Sequence, residues 1–119
     1  MYNYFMKLVI QIPAHNEQES ILEVLKSIPK KIKGIDDVEI FVINDASEDK
    51  TSQIAKEFGV KVLDLAQKQG LANVFKIGAK HALSLKADIL VNIDGDNQYC
   101  AYDIEKLISP IINNEADIV

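Results

Sequence analysis

The chain predicts an α/β fold with a mainly parallel sheet covered by helices on both faces, and three observations support it. Short β-branched apolar runs alternate with segments of helical periodicity. Glycine and proline stand where those segments should stop. Polar and acidic residues collect just after successive strands. Such alternation implies β-α-β crossovers and therefore parallel strands buried on both faces.

Taken in order, Lys7 to Ile12 (KLVIQI) is apolar and β-branched and is closed by Pro13, the signature of a buried strand. From Glu17 to Ile28 the residues Ile21, Leu22, Val24, Leu25 and Ile28 recur at helical spacing, and Pro29 ends the helix. Val38 to Ile43 (VEIFVI) is the second strand. Asp49 to Phe58 is a helix that turns Ile54, Ala55 and Phe58 inward, with Gly59 as its stop. Val60 to Leu63 is a short third strand, and Leu71 to Leu85 a longer helix carrying Val74, Phe75, Ile77, Ala82 and Leu85. Ile89 to Ile93 (ILVNI) is predicted as a fourth strand, central and buried. Asp103 caps a helix running to about Ile112, with Ile104, Leu107, Ile108 and Ile111 on one face. Ala116 to Val119 starts another strand, so the fold is expected to be truncated at its C-terminal side, leaving an edge through which copies would self-associate.

Composition narrows the function. A chain of 119 residues, 48% of them hydrophobic, suits one domain over residues 1–119 with a core large enough to offset its ordering entropy. A net charge of −5 with scattered lysines offers no basic stripe for nucleic acid. The single cysteine, Cys100, forms no internal disulfide, and no Cys/His cluster has zinc spacing, which fits a reducing cytoplasm. The apolar run Leu8 to Pro13 is too short for a bilayer and lacks the flanks of a signal peptide. Membrane association would have to come from segments beyond Val119.

In open parallel sheets, ligands bind beyond the carboxyl ends of the strands. There the chain places Pro13-Ala14-His15-Asn16-Glu17, then Asn44-Asp45-Ala46-Ser47-Glu48-Asp49, then Asp94-Gly95-Asp96-Asn97-Gln98. Asp94 and Asp96 flank a glycine that lets the backbone bend tightly, so both carboxylates can converge on one cation. Oxygen ligands of this kind suit Mg2+ or Mn2+, and a divalent ion is the physical means of seating a diphosphate beside aspartates. Against this stands a plain solvated acidic turn. Ser47 or Asp49 reads as a helix cap, whereas Asp45, at the strand end, is freer to accept hydrogen bonds from a base or ribose. Glu17 either faces the cleft or favours the helix N-terminus, and His15 reads as a loop histidine. Gly70 opens a helix whose free N–H groups suit a phosphate, and Gly78 fits close helix packing.

Together these segments resemble family 2 glycosyltransferases, whose fold is the Rossmann-like GT-A type. Pro13 to Glu17 is similar to the family's P-A-x-N-E, Asn44 to Thr51 to its D-D-x-S-x-D-x-T loop, Gly70 to Gly78 to its glycine-rich helix start, and Asp94 to Gln98 to its D-x-D motif in the D-x-D-x-Q form of the polyprenyl-phosphate branch. The resemblance implies that Pro13, Ala14, Glu17, Asp45, Gly70 and Asp94 contact a nucleoside-diphosphate sugar and that Asp94, Asp96 and Gln98 hold the metal and diphosphate. It also implies transfer, with inversion, to a polyprenyl-phosphate or glycan acceptor, with the acceptor-side residues beyond Val119. The pattern departs at Asn44, where the family has aspartate, and at Ala72 and Val74. A nucleotide-binding module without turnover is the alternative. A phospho-receiver domain lacks its acidic pair after the first strand, and a nucleotidyltransferase lacks its glycine-rich basic loop.

Overall fold

The computed structural model describes residues 5–95 together with Ile104, Lys106 and Ile108. Along them run β1 (Lys7–Ala14), α1 (Ile21–Ser27), β2 (Asp37–Asn44), α2 (Thr51–Phe58), β3 (Lys61–Asp64), α3 (Leu71–Ser84) and β4 (Ile89–Asn92). The sheet order is β3-β2-β1-β4 and every pairing is parallel. All four carboxyl ends therefore share one edge.

Strand alternation divides the apolar side chains between two cores. Leu8, Ile10, Ile12 and Ala14 of β1, Val42 of β2, and Ile89 and Val91 of β4 join Ile21, Val24 and Leu25 of α1 and Ala55 of α2. The helical residues Ile104 and Ile108 are buried in the same cluster. On the opposite face Val9, Phe41 and Ile43 meet Val74 and Ala82 of α3. Helices thus cover both faces, as predicted.

Gln11 interrupts the apolar run of β1 because it lies on the α3 face, fully buried, and donates from Nε2 to Asn92 Oδ1 at 2.9 Å. Its Oε1 lies so close to Gly78 that a Cβ there would stand 2.0 Å away. Gly78 is what lets α3 settle onto the sheet, as the sequence suggests. Gly59, at φ +107°, closes α2 in the left-handed conformation that glycine adopts without strain.

Among the described strands β4 pairs with β1, while β1 and β2 each have two neighbours. Ile89 and Val91 of β4 are buried with the side chains of α1 and α2. Two helix starts are corrected. The first helix starts at Ile21 rather than Glu17, because the amides of Glu17 and Gln18 donate to Thr51 Oγ1 and Asp49 Oδ2 in the next loop. The second starts at Thr51 rather than Asp49, because the Asp49 carboxylate stands outside it and accepts the Thr51 amide at 2.9 Å. The strand expected at 116–119 with its exposed edge, and Asp103, Leu107 and Ile111, lie outside the described residues. Among the described residues no helix is long and apolar enough to cross a membrane.

Candidate active-site cleft

Register brings the first two strand exits together, since Ala14 pairs with Asn44. Beyond that pair the loops are laced reciprocally. The Asp45 amide donates to the Ala14 carbonyl at 2.8 Å. The Asn16 amide donates to Ser47 Oγ, and the Glu48 amide to Asn16 Oδ1, each at 2.9 Å. Asn16 adopts φ +55°, a conformation asparagine tolerates better than most residues. His15 Nδ1 donates to the Asp45 carbonyl at 2.6 Å, which fixes its hydrogen on that nitrogen. Asp49 accepts the Thr51 hydroxyl and amide and the Gln18 amide. Burial raises its pKa, but these hydrogen bonds outweigh that effect and hold it below the usual carboxylate value. Of the two cap candidates, Asp49 serves α2, while Ser47 binds the neighbouring loop.

The turn before α3 is held by Asp45. Its Oδ1 accepts the Gln69 amide at 2.7 Å and its Oδ2 the Gly70 amide at 3.1 Å. Asp45 is 5% exposed, so these amides satisfy a carboxylate that has little water around it. Two expectations change here. Asp45 is not free of protein partners, although each oxygen keeps a second lone pair. The Gly70 N–H is already engaged, which leaves the amides of the first turn of α3 as the donors facing outward. Gly70 itself sits at φ +84°, where a side chain would be strained.

Asn44 answers its departure from the family pattern with two hydrogen bonds that need an amide. Its Nδ2 donates to Asp64 Oδ1 at 3.0 Å and its Oδ1 accepts the Ser47 amide at 3.1 Å. An aspartate at this position would face the Asp64 carboxylate with nothing to donate. Asp64 also receives Lys56 Nζ and Ser52 Oγ, each at 2.7 Å. Burial raises its pKa, but Lys56, Asn44 and Ser52 together bring it down to about 2.

The exit of β4 completes the site. Asp94 and Gly95 reach back to the β1 exit, where Gly95 lies against Ala14, Pro13 and Glu17. A cleft of about 190 Å3 results, lined by Pro13, Ala14, His15, Glu17, Asp45, Leu71, Val74, Asp94 and Gly95. This is below the roughly 300–1,000 Å3 of a full small-molecule site. A wider hollow of about 510 Å3, lined among others by Lys30, Glu39 and Lys61, lies at the opposite end of the strands, away from the edge where such sheets bind ligands.

The structure thus unites Pro13, Ala14, Glu17, Asp45 and Asp94 around one cleft, with Gly70 bonded to its wall. Asp96 and Gln98 lie outside the described residues. The sequence reading missed the lining by Leu71 and Val74 and the strut from Ser20, whose hydroxyl donates to the Gly95 carbonyl at 2.6 Å. Leu71 and Val74 carried a signal, the helix start at Gly70; Ser20 carried none, as its partner is 75 residues away.

Among the described residues, three carboxylate-bearing side chains line the cleft and neither lysine nor arginine does. Nor do three or more His, Cys, Asp or Glu side chains converge there closely enough to hold a metal unaided. Hard divalent cations that bind diphosphates ordinarily use one or two carboxylates, completing their shell with water and phosphate oxygens. Asp94 supplies one carboxylate of that kind at the cleft.

A model of the family described as Glycosyl transferase family 2 matches residues 9–119. The chain is 34% identical over 112 residues to a dolichol-phosphate mannosyltransferase from Pyrococcus furiosus, covering 91% of this chain and 31% of that protein. It is 31% identical over 125 residues to a UDP-N-acetylglucosamine–dolichyl-phosphate N-acetylglucosaminyltransferase from Methanococcus voltae, covering 91% of this chain and 48% of that one. The chain spans about half the length of several curated relatives it matches. Among solved structures, glucosyl-3-phosphoglycerate synthase from Mycobacterium tuberculosis, in complex with Mn2+, UDP-glucose and phosphoglyceric acid, superposes with a TM-score of 0.75 at 23% identity, over 92% of this chain and 41% of that one. The shared architecture is the GT-A fold.

Proposed function

The chain belongs to glycosyl transferase family 2, and on that premise we propose that its cleft binds a nucleoside-diphosphate sugar through a divalent ion, as the donor half of a transferase acting on a polyprenyl-phosphate acceptor. One observation carries the reading. Three strand exits converge on a cleft lined by Asp45, Glu17 and Asp94 with no lysine or arginine among its described lining residues. The charged side chains among those described would all repel a diphosphate entering such a cleft unless a cation came with it.

In this reading Asp94, with Asp96 and Gln98 following it, would hold Mg2+ or Mn2+, which would supply positive charge for the diphosphate. The remaining work belongs to the chain. Pro13 and Ala14 form a stiff wall at the exit of β1, both buried. Asp45 keeps the 69–70 turn in place and turns its remaining lone pairs to the nucleoside. The first turn of α3 presents its amides, and its positive dipole end, toward phosphate. Transfer joins an acceptor oxygen to the anomeric carbon as the bond to the nucleoside diphosphate breaks; a phosphate acceptor is already anionic and needs no base to remove a proton. The polyprenyl-phosphate assignment is supported by the names of the two dolichol-phosphate relatives; under it the whole protein would work at the cytoplasmic face of a membrane.

Thermal-shift measurement against a panel of UDP- and GDP-sugars with Mn2+ tests the donor class. Stabilisation by one of them, and not by the free sugar, is expected. No shift with any nucleotide would refute the donor reading.

A further inference from the structure

We propose that Ser20 is a positioning residue, which sets the Asp94–Gly95 turn at the cation end of the cleft; the proposal rests on the metal-dependent reading above. Ser20 occupies the N-cap of α1, a position where serine normally accepts a hydrogen bond from the helix's own first-turn amides. It makes no such bond here. Its hydroxyl turns away from α1 and donates to the Gly95 carbonyl at 2.6 Å, across 75 residues of sequence. The longer approach to Glu17 Oε2, 3.4 Å, cannot use the same proton.

Among the described residues, close packing also holds the turn it grips. A Cβ on Gly95 would lie 3.3 Å from the Ala14 Cβ and the Pro13 carbonyl and 3.4 Å from Glu17 Cγ, so the glycine is pressed onto the β1 exit. The last backbone bond of β4 to β1, from the Ile93 amide to the Gln11 carbonyl, lies two residues earlier. Beyond it, the peptide following Asp94 is oriented by that packing and by Ser20. Rotation of that peptide swings the Asp94 carboxylate. Second partners of this kind, which orient a ligand without touching the metal, ordinarily govern metal affinity.

The test is a Mn2+ titration followed by electron paramagnetic resonance, in the presence of UDP and, in a parallel series, GDP, on the wild type, Ser20→Ala and Ser20→Thr. Ser20→Ala is expected to raise the Mn2+ Kd by about 10-fold or more and to alter the spectrum of the bound ion, while the melting temperature stays at the wild-type value. Ser20→Thr, which keeps the hydroxyl, restores both. Wild-type Mn2+ affinity in Ser20→Ala overturns the role of Ser20 and leaves the metal reading standing. A melting temperature that falls with no change in Mn2+ affinity also overturns it, by making Ser20 merely structural. A wild type that binds no Mn2+ with either nucleotide overturns the metal reading and this proposal with it.

Discussion

Asp45 holds Gly70: the carboxylate at the end of β2 accepts the amide that opens α3, at 3.1 Å, and the adjacent Gln69 amide at 2.7 Å. One side chain thereby sets the distance between the strand-exit wall and the helix N-terminus that face each other across the cleft. Asp45→Ala leaves two amides without their acceptor, and we predict a loss of about 1–3 kcal/mol of nucleotide affinity together with a lowered melting temperature. Asp45→Asn keeps an acceptor for only one of the amides and should fall between. Calorimetry and thermal melting on both variants check this; a nucleotide affinity untouched in Asp45→Ala would remove Asp45 from the site.

Gly78 is a steric requirement. Alanine is favoured over glycine in a helix by about 1 kcal/mol, yet Gly78→Ala drives a methyl group to 2.0 Å from the buried Gln11 Oε1. The expected net effect is destabilisation by about 1–3 kcal/mol, as overpacking requires. Gln11→Ala removes the nearer of two obstructions, leaving Ile43 Cδ1 at 2.5 Å from the new methyl, so the double variant should be more stable than the sum of the two single changes predicts. Urea denaturation of the four proteins measures the coupling.

The frame of the fold was legible because alternation and helical periodicity are local signals: β1, β2 and α3 begin where the pattern puts them, to within a residue. The helix starts at Ile21 and Thr51 were not, because residues 16–18 and 47–51 bind each other across some thirty positions. Strand order was not legible either. An apolar run such as Ile89 to Ile93 reads the same whether it is flanked by two strands or by one strand and covering helices. In the site, the residue types were readable, but not the two bonds that occupy Asp45 or the reach of Ser20 to Gly95, since both depend on how distant loops meet.

Asn44 and Asp64 predict a pH signature. Asp64 titrates at about 2 in the folded chain against an ordinary 3.8. Its partners therefore stabilise the fold above pH 3.8, and that contribution is lost as pH falls through about 2. Asn44→Asp replaces a donor 3.0 Å from Asp64 with a second carboxylate. The variant should be less stable than wild type at neutral pH, and the gap should narrow below about pH 4, where carboxylates protonate. Chemical denaturation across this range checks it; a gap independent of pH would mean that charge is not the cause.

The central claim, that an acidic cleft takes a nucleoside diphosphate only in the company of a divalent ion, is tested most directly by calorimetry of UDP and GDP binding to this chain, in Mn2+ and in EDTA. The account predicts binding of one nucleotide in Mn2+, an affinity lower by an order of magnitude or more in EDTA, and loss of most of the Mn2+ dependence in Asp94→Asn. Equal affinity with and without the ion would contradict it.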